Sequence, residues 1–272
     1  MRRSVAALAL ALGTGCVRAP PADLSRDPAG LLEQVREGQA RVRSVRGSAR
    51  LDVTSEAQSG TLDAYLEAEK PARVRIELLD FFGNPAALLV ANEGRFGLYD
   101  ARAGVYYRGE ATAANLARLL PFPLPVEDVA VLLCGSAPLP EGSAASAEPD
   151  GSAMRLEVLS PRGREILRIG AGATVRSATL EPTPGSGSAG WRVSFDVFRT
   201  RGGALVPSEA DLRAGRARVA VRWKSDLEVN PASEGAPFQL DAPRGARVVD
   251  LTGPPPPLDL PLRGAESAVP ER

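Results

Sequence analysis

Residues 74–100 read VRIELLDFFGNPAALLVANEGRFGLYD. Val74, Ile76 and Leu78 alternate with Arg75 and Glu77, and Arg73 extends the wet side by one more position. A period of two with one apolar and one polar face is the mark of a strand in an antiparallel sheet. Gly83, Asn84 and Pro85 are turn formers, so DFFGNP reads as a hairpin tip, with the next strand running from Ala86 to Val90. A second turn near Gly94 leads into a strand from Arg95 to Tyr99. Two adjacent phenylalanines in a turn are unusual, because turns run over the surface and carry polar residues. Phe81 and Phe82 are therefore predicted to stand exposed at the tip and to dip into a membrane interface. The other reading is that they fold back and plug the mouth of the sheet.

The same alternation recurs on both sides of this hairpin. Towards the N-terminus, Ala49, Leu51 and Val53 alternate with Arg50 and Asp52, and Leu62, Ala64 and Leu66 with Asp63, Tyr65 and Glu67. Ahead of them, Asp27-Pro28 starts a helix, with Asp as N-cap and Pro at the first helical position. Leu31, Leu32, Val35 and Val42 share one face of that helix, which is predicted to end near Val45. On the C-terminal side a strand at 105–108 precedes two short helices, one after Thr112 and one from Val126 to Leu133. Residues 136–153, rich in Ser, Ala, Gly and Pro, read as a loop. Strands resume from Arg155 and recur to Leu251, and the proline-rich segment 253–272 reads as a disordered tail.

The expected fold is mainly β with helices. About eleven strands form a single curved antiparallel sheet, a half-open barrel with helices packed on its apolar face. Period and helix spacing predict that Leu51, Val53, Leu62, Leu66, Val74, Ile76, Leu88 and Val90 face one concavity together with Leu116 and Leu120. Arg50, Arg73 and Arg75 then face solvent. A slip of one residue would invert any strand in this assignment. The pattern alone fits a filled core as well as an open groove.

The chain begins MRRSVAALALALGTGC. Arg2 and Arg3 precede an apolar run from Val5 to Leu12, too short to span a bilayer, and small residues lead to Cys16. This start resembles the lipobox of bacterial lipoproteins, with Gly13 where the usual box has Leu. The resemblance implies a signal segment over 1–15, a lipid on Cys16, a tether over 16–26 and a domain over 27–252. An ordinary cleaved signal is the other reading. Val17 follows the cysteine rather than Asp, which by the sorting rule the resemblance carries implies the periplasmic side of the outer membrane.

Composition narrows the function classes. Lys and Arg number 33 against 33 acidic residues, and removing Arg2 and Arg3 with the first fifteen leaves 31 against 33. A balanced surface gives no reason to expect nucleic acid, which calls for a basic face. The chain has no histidine, so the commonest general base and neutral metal ligand is missing. No GxSxG, P-loop, HExxH or CxxC motif occurs, and none of the carboxylates stands out as a pair by spacing. The reading is a non-enzyme with no cofactor and no metal. Aromatics make up 5%, so any cavity is walled mainly by aliphatic side chains. With Cys16 lipidated, Cys134 has no disulfide partner, and its place in VLLCGSA marks it as a small buried hydrophobe.

The order of these features resembles the LolA/LolB lipoprotein-carrier superfamily. VRIELLDFFGNPAALLVANEGRFGLYD is similar to the LolB pattern of strand, bulky tip residue before Gly, second strand and turn. NLARLLPFPLPVEDVAVLLCG at 115–135 and LEVNPASEGAPFQLDAPRGARVVDL at 227–251 are similar to later LolB-like stretches. The resemblance implies an apolar groove that holds the acyl chains of another lipoprotein and a tip, Phe82, that helps deliver them to the bilayer. It implies as partners outer-membrane lipid, acylated lipoproteins and a soluble LolA-like carrier, with the protein a monomer. The alternative is a lipid-anchored LolB-like module that binds another hydrophobic ligand or an envelope partner protein.

Overall fold

The computed structural model describes residues 19–56, 58–117, 120–139, 141–232 and 238–251. The signal segment, Cys16 and the tail from 253 onward lie outside the described residues. Helix α1 spans Pro28–Ala40 and is followed by β1 (Ser44–Thr54), β2 (Ser59–Glu69), β3 (Arg73–Leu79), β4 (Pro85–Asn92), β5 (Arg95–Asp100) and β6 (Val105–Glu110). Two short helices come next, α2 (Ala113–Leu116) and α3 (Val126–Leu133). Then follow β7 (Ser143–Asp150), β8 (Ala153–Ser160), β9 (Gly163–Gly170), β10 (Thr174–Pro182), β11 (Trp191–Arg201) and β12 (Ala204–Ala214). The last strands are β13 (Ala217–Trp223), β14 (Glu228–Val229) and β15 (Arg247–Asp250).

Among the described residues the strands all join one open, curved sheet of fifteen, more than the eleven expected from periodicity. Its order is β15-β6-β5-β4-β3-β2-β1-β13-β12-β11-β10-β9-β8-β7, with β14 paired to β1. Two meanders thus meet at the β1–β13 seam. Every pairing is antiparallel except that of β15, which runs parallel to β6.

Several boundaries differ from the sequence reading, each for a physical reason. Helix α1 starts where expected: Asp27 Oδ2 accepts from the Gly30 amide at 2.7 Å, and Pro28 takes the first helical position. It ends at Ala40, not near Val45. Val45 is a β1 residue paired with Ala68, and cross-strand pairing overrides the coincidence that it continues the helical period. The expected loop at 136–153 contains β7, whose small polar residues form a strand because β8 offers a full ladder. The expected tether is docked from Asp23 on: Leu24 is buried, and the Ser25 amide donates to Gln34 Oε1 at 2.8 Å.

Arg50 is exposed, and Arg73 and Arg75 are partly so, all on the face away from the helices. That face carries cross-strand ion pairs such as Arg222–Asp52 and Arg218–Asp211. The helix-bearing face holds the apolar core in two main clusters. One packs Leu31, Leu32 and Val35 of α1, together with Phe122, Leu124 and Leu132 from the stretch ending in α3, on β8–β13. The other packs α2 and α3 on β1–β6.

Candidate functional site

Register decides which side chains share the face under α2 and α3. Leu51 lies opposite Leu62 and Val221, Leu66 opposite Ile76, and Ile76 opposite Leu89, which lies opposite Leu98. Two rows of aliphatic groups, four residues apart on β2, therefore share this face, one across β13, β1 and β2 and the other across β2–β5. Above it runs the segment from α2 to α3. Thr112 Oγ1 accepts from the Asn115 amide at 3.1 Å and starts α2, and a Pro-rich turn carries Leu120, Phe122 and Leu124 over the sheet. Helix α3 follows with Val129, Leu132 and Leu133 facing the same space. At its C-terminal end Gly135 adopts φ +78° against Pro207, where a Cβ would come within 2.4 Å of the proline ring.

Sheet and covering segment do not close completely on each other. They leave a partly open cavity of about 130 Å³. Its walls are apolar throughout: Leu51, Val53, Leu62, Leu66, Ile76, Leu78, Ala87, Leu89 and Leu98 from β1–β5, with Val193, Ala210, Leu212, Val219, Val221 and Trp223 from β11–β13. Among the expected groove residues, Leu51, Val53, Leu62, Leu66, Ile76 and Leu120 line it. Val74 and Leu116 are buried in the same apolar cluster without lining the cavity. Leu88 and Val90 require correction, since they point to the opposite face. Residues 86–91 are apolar without a break, which hides the period, and the register with β3 puts Ala87, Leu89 and Ala91 inside instead. Val90 is nonetheless buried at 3% exposure, because the outer face is covered there. It lies opposite Gly97, over which the Tyr106 ring packs, and the Tyr106 hydroxyl donates to the Leu240 carbonyl.

The cavity walls contributed by β11–β13 and by Phe122, Leu124, Val129, Leu132 and Leu133 escaped the sequence reading. Their sequence signal was the apolar run PFPLPVEDVAVLL at 121–133, whose placement over the distant first strands is a long-range fact.

Phe81 and Phe82 stand at the β3–β4 tip, 69% and 83% exposed, with ring centroids 5.4 Å apart in an edge-to-face pair. The turn beneath them is stiff. Asp80 Oδ1 accepts from the Phe82 and Asn84 amides, both at 2.8 Å, and the Asp80 amide donates to the Asn84 carbonyl. The Asn84 amide, first among several donors, holds the Asp80 carboxyl below the usual carboxylate range.

Cys134 caps α3, is buried, and has its thiol pushed by burial up to about 12, which makes it inert as a nucleophile at neutral pH. Among the described residues no group of three metal-ligating side chains comes together.

No protein-family model matches the sequence, and no curated protein matches it. Solved structures do. A DUF1329 family protein from Desulfovibrio piger aligns over 78% of this chain and 98% of its own, with TM-score 0.55 and 12% identity. A putative outer membrane lipoprotein-sorting protein domain from Vibrio parahaemolyticus aligns over 76% and 95%, with TM-score 0.54 and 12% identity. A LolA superfamily protein from Nitrosomonas europaea aligns over 79% and 99%, with TM-score 0.54 and 8% identity. Such identities speak to architecture, and the architecture agrees over most of each chain: this protein has the LolA/LolB-like fold.

Proposed function

We propose that this protein is a lipid-anchored, LolB-like receptor that takes acyl chains of lipoproteins into the cavity beneath α2 and α3 and passes them to the outer membrane. The observation that carries the reading is the cavity itself: every lining side chain is apolar, and it lies between the sheet and a short covering segment. An apolar cavity of about 150 Å³ stays dry and takes up a small hydrocarbon. At about 130 Å³ this one accepts the end of one acyl chain as it stands. Each buried methylene contributes about 0.8 kcal/mol, so a longer chain gains where the α2–α3 segment moves off the sheet and closes on the acyl chain instead.

The lipobox-like start, with Cys16 as the acylated residue, supports an anchor on the periplasmic side of the outer membrane. In this reading the tether is the part of the expected 16–26 ahead of the docked Asp23, and the carrier domain runs from Asp23 to residue 252. The exposed aromatic tip supports delivery, since an aromatic side chain leaving water gains about 1.5–3 kcal/mol, enough to bias docking without holding the domain. The protein performs no chemistry in this role.

The test is a transfer assay. A soluble carrier loaded with acylated lipoprotein is mixed with the full chain carrying Cys16→Ser, and then with liposomes. Movement of the lipoprotein onto this chain and on to the liposomes is expected, with Phe82→Glu arrested at the second step. If the lipoprotein stays on its carrier while the chain still binds a fluorescent hydrophobe, the ligand is another apolar molecule. Labelled palmitate tests the anchor: a Cys16→Ala chain that still takes up the label has none at that position.

A further inference from the structure

Helix α3 walls the cavity with Val129, Leu132 and Leu133, and the residue ahead of Val129 carries a charge. Asp128 is only 4% exposed. Its two oxygens accept from Arg162, one from Nη1 at 3.1 Å and the other from Nη2 at 2.5 Å. Arg162 stands in the turn between β8 and β9, in the other meander from β2 and β3, on which α3 packs. The pair therefore ties the helix that covers the cavity to the far half of the sheet. On the sheet side the tie is fixed, since the Arg162 amide donates to Ser160 Oγ and its carbonyl accepts from the Thr183 amide. On the other side α3 has no capping side chain at Pro125, which leaves the ion pair as the polar hold on its first turn among the described residues.

A second carboxyl lies beside this pair. Glu165, three residues beyond Arg162, is 1% exposed on the helix-bearing face of β9. Its neighbours across the strands are Val158 of β8 and Leu180 of β10, both apolar, and its Oε1 has no hydrogen-bond partner among the described residues. Arg164 and Glu181 pair with each other on the opposite face. The charged groups that act on Glu165 are thus Arg162 from the turn and Asp128 from α3. Burial is the largest influence and pushes its carboxyl up to about 8, against the pull of Arg162 and with the help of Asp128. While Glu165 keeps its proton, Asp128 has the guanidinium to itself and holds it bidentately. Once Glu165 ionises, two buried carboxylates face one cation. That excess charge is relieved by turning Arg162 away from Asp128 or by admitting water as α3 lifts.

We infer that Asp128, Arg162 and Glu165 form a proton-controlled latch: with Glu165 neutral the ion pair holds α3 over the cavity, and an ionised Glu165 releases it. The closed form, with its raised pKa, binds the proton more tightly than an open form whose carboxyl is hydrated. Opening is therefore favoured as pH rises from about 4.5 to about 8 and levels off above. The ceiling is about tenfold per pH unit, reached when opening hydrates the carboxyl fully.

The chain carries its own reporter. Cys134 is buried at the C-terminal end of α3 and is the only thiol once Cys16 is replaced by Ser. Its rate of labelling by dithionitrobenzoate is measured in the full chain carrying Cys16→Ser, at about pH 6 and about pH 8, with and without Glu165→Gln. Glutamine is an uncharged stand-in for the protonated acid, and dividing the two rates at each pH cancels the ionisation of the thiol itself. The quotient is expected to rise by about three- to tenfold per pH unit. Asp128→Asn, which takes the charge out of the pair, should label several-fold faster than the unsubstituted chain already at the lower pH. A flat quotient overturns the inference, and that comparison needs only the glutamine variant, which keeps the shape of the closed form. Unchanged labelling in Asp128→Asn overturns it too. So does labelling that accelerates in dilute urea as steeply as global unfolding, since it then reports unfolding and not a movement of α3. Uptake of phenylnaphthylamine by the same chains keeps the latch separate from the acyl-binding reading. Labelling that follows pH in a chain that takes up no probe supports the latch and removes the reading.

Discussion

The two halves of the sheet carry the same alternation and use it differently. Over β7–β10 lies α1, a helix of thirteen residues whose Leu31, Leu32 and Val35 are at most 3% exposed, and that half is a filled core. Over β1–β5 and β11–β13 lie only α2, of four residues, and α3, of eight, joined by a Pro-rich turn, and that half keeps a cavity. An apolar sheet face becomes core or groove according to how much helix is laid on it. Strand periodicity carries no information about that choice.

The comparison breaks most readily at α1. Leu31→Ala, in the half without space to spare, should cost about 2–5 kcal/mol in urea unfolding. A loss below about 1 kcal/mol would mean that this half is loosely packed too.

Glu165 sharpens the contrast, because it places a carboxyl in the filled half. Its pKa rises from an ordinary 4.5 to about 8 on folding. The folded state therefore holds a proton that the unfolded state releases between these values. Stability should fall as pH rises from about 4.5 to about 8 and level off above, by an amount on the order of a few kcal/mol. Glu165→Leu should flatten that slope in denaturation curves taken across the range. An unchanged slope would assign the pH dependence elsewhere.

Adding volume should separate the halves more finely. Ala178→Leu puts extra methylenes into the filled cluster and is expected to cost about 1–3 kcal/mol. Ala87→Leu points the same addition into the cavity and is expected to be close to neutral for stability while reducing uptake of a fluorescent hydrophobe. Equal costs in calorimetry would erase the distinction. On the charged outer face, Arg222→Ala removes an exposed pair with Asp52 and should change stability by less than about 1 kcal/mol in either half's favour.

The sequence made the inner faces of β1–β3 legible because charged residues mark the opposite phase. It failed at β4, where the outer face is also covered, so that Leu88 and Val90 are as apolar as the residues that point inward. At β7 it failed for the converse reason, since small polar residues state no phase at all. Half of the candidate site was visible, namely the strands that alternate. The other half consists of β11–β13 and the covering segment, which reach the first strands only through long-range pairing. Glu165 was in plain view as the one carboxylate in phase with Leu167 and Ile169, a polar residue written into an apolar face.

The seam at the middle of the sheet has a consequence for the order in which this chain can fold. β1 has β2 on one side and β13 on the other, and the Asn230 side chain accepts from the Arg43 amide across 187 residues. A polypeptide emerging N-terminus first shows the unpaired edge of β1 until almost all of it has appeared. Non-local closure of this kind slows folding. Chaperones would meet six paired strands with an open flank, and a chain cut before Ala217 would leave the two meanders without their common border.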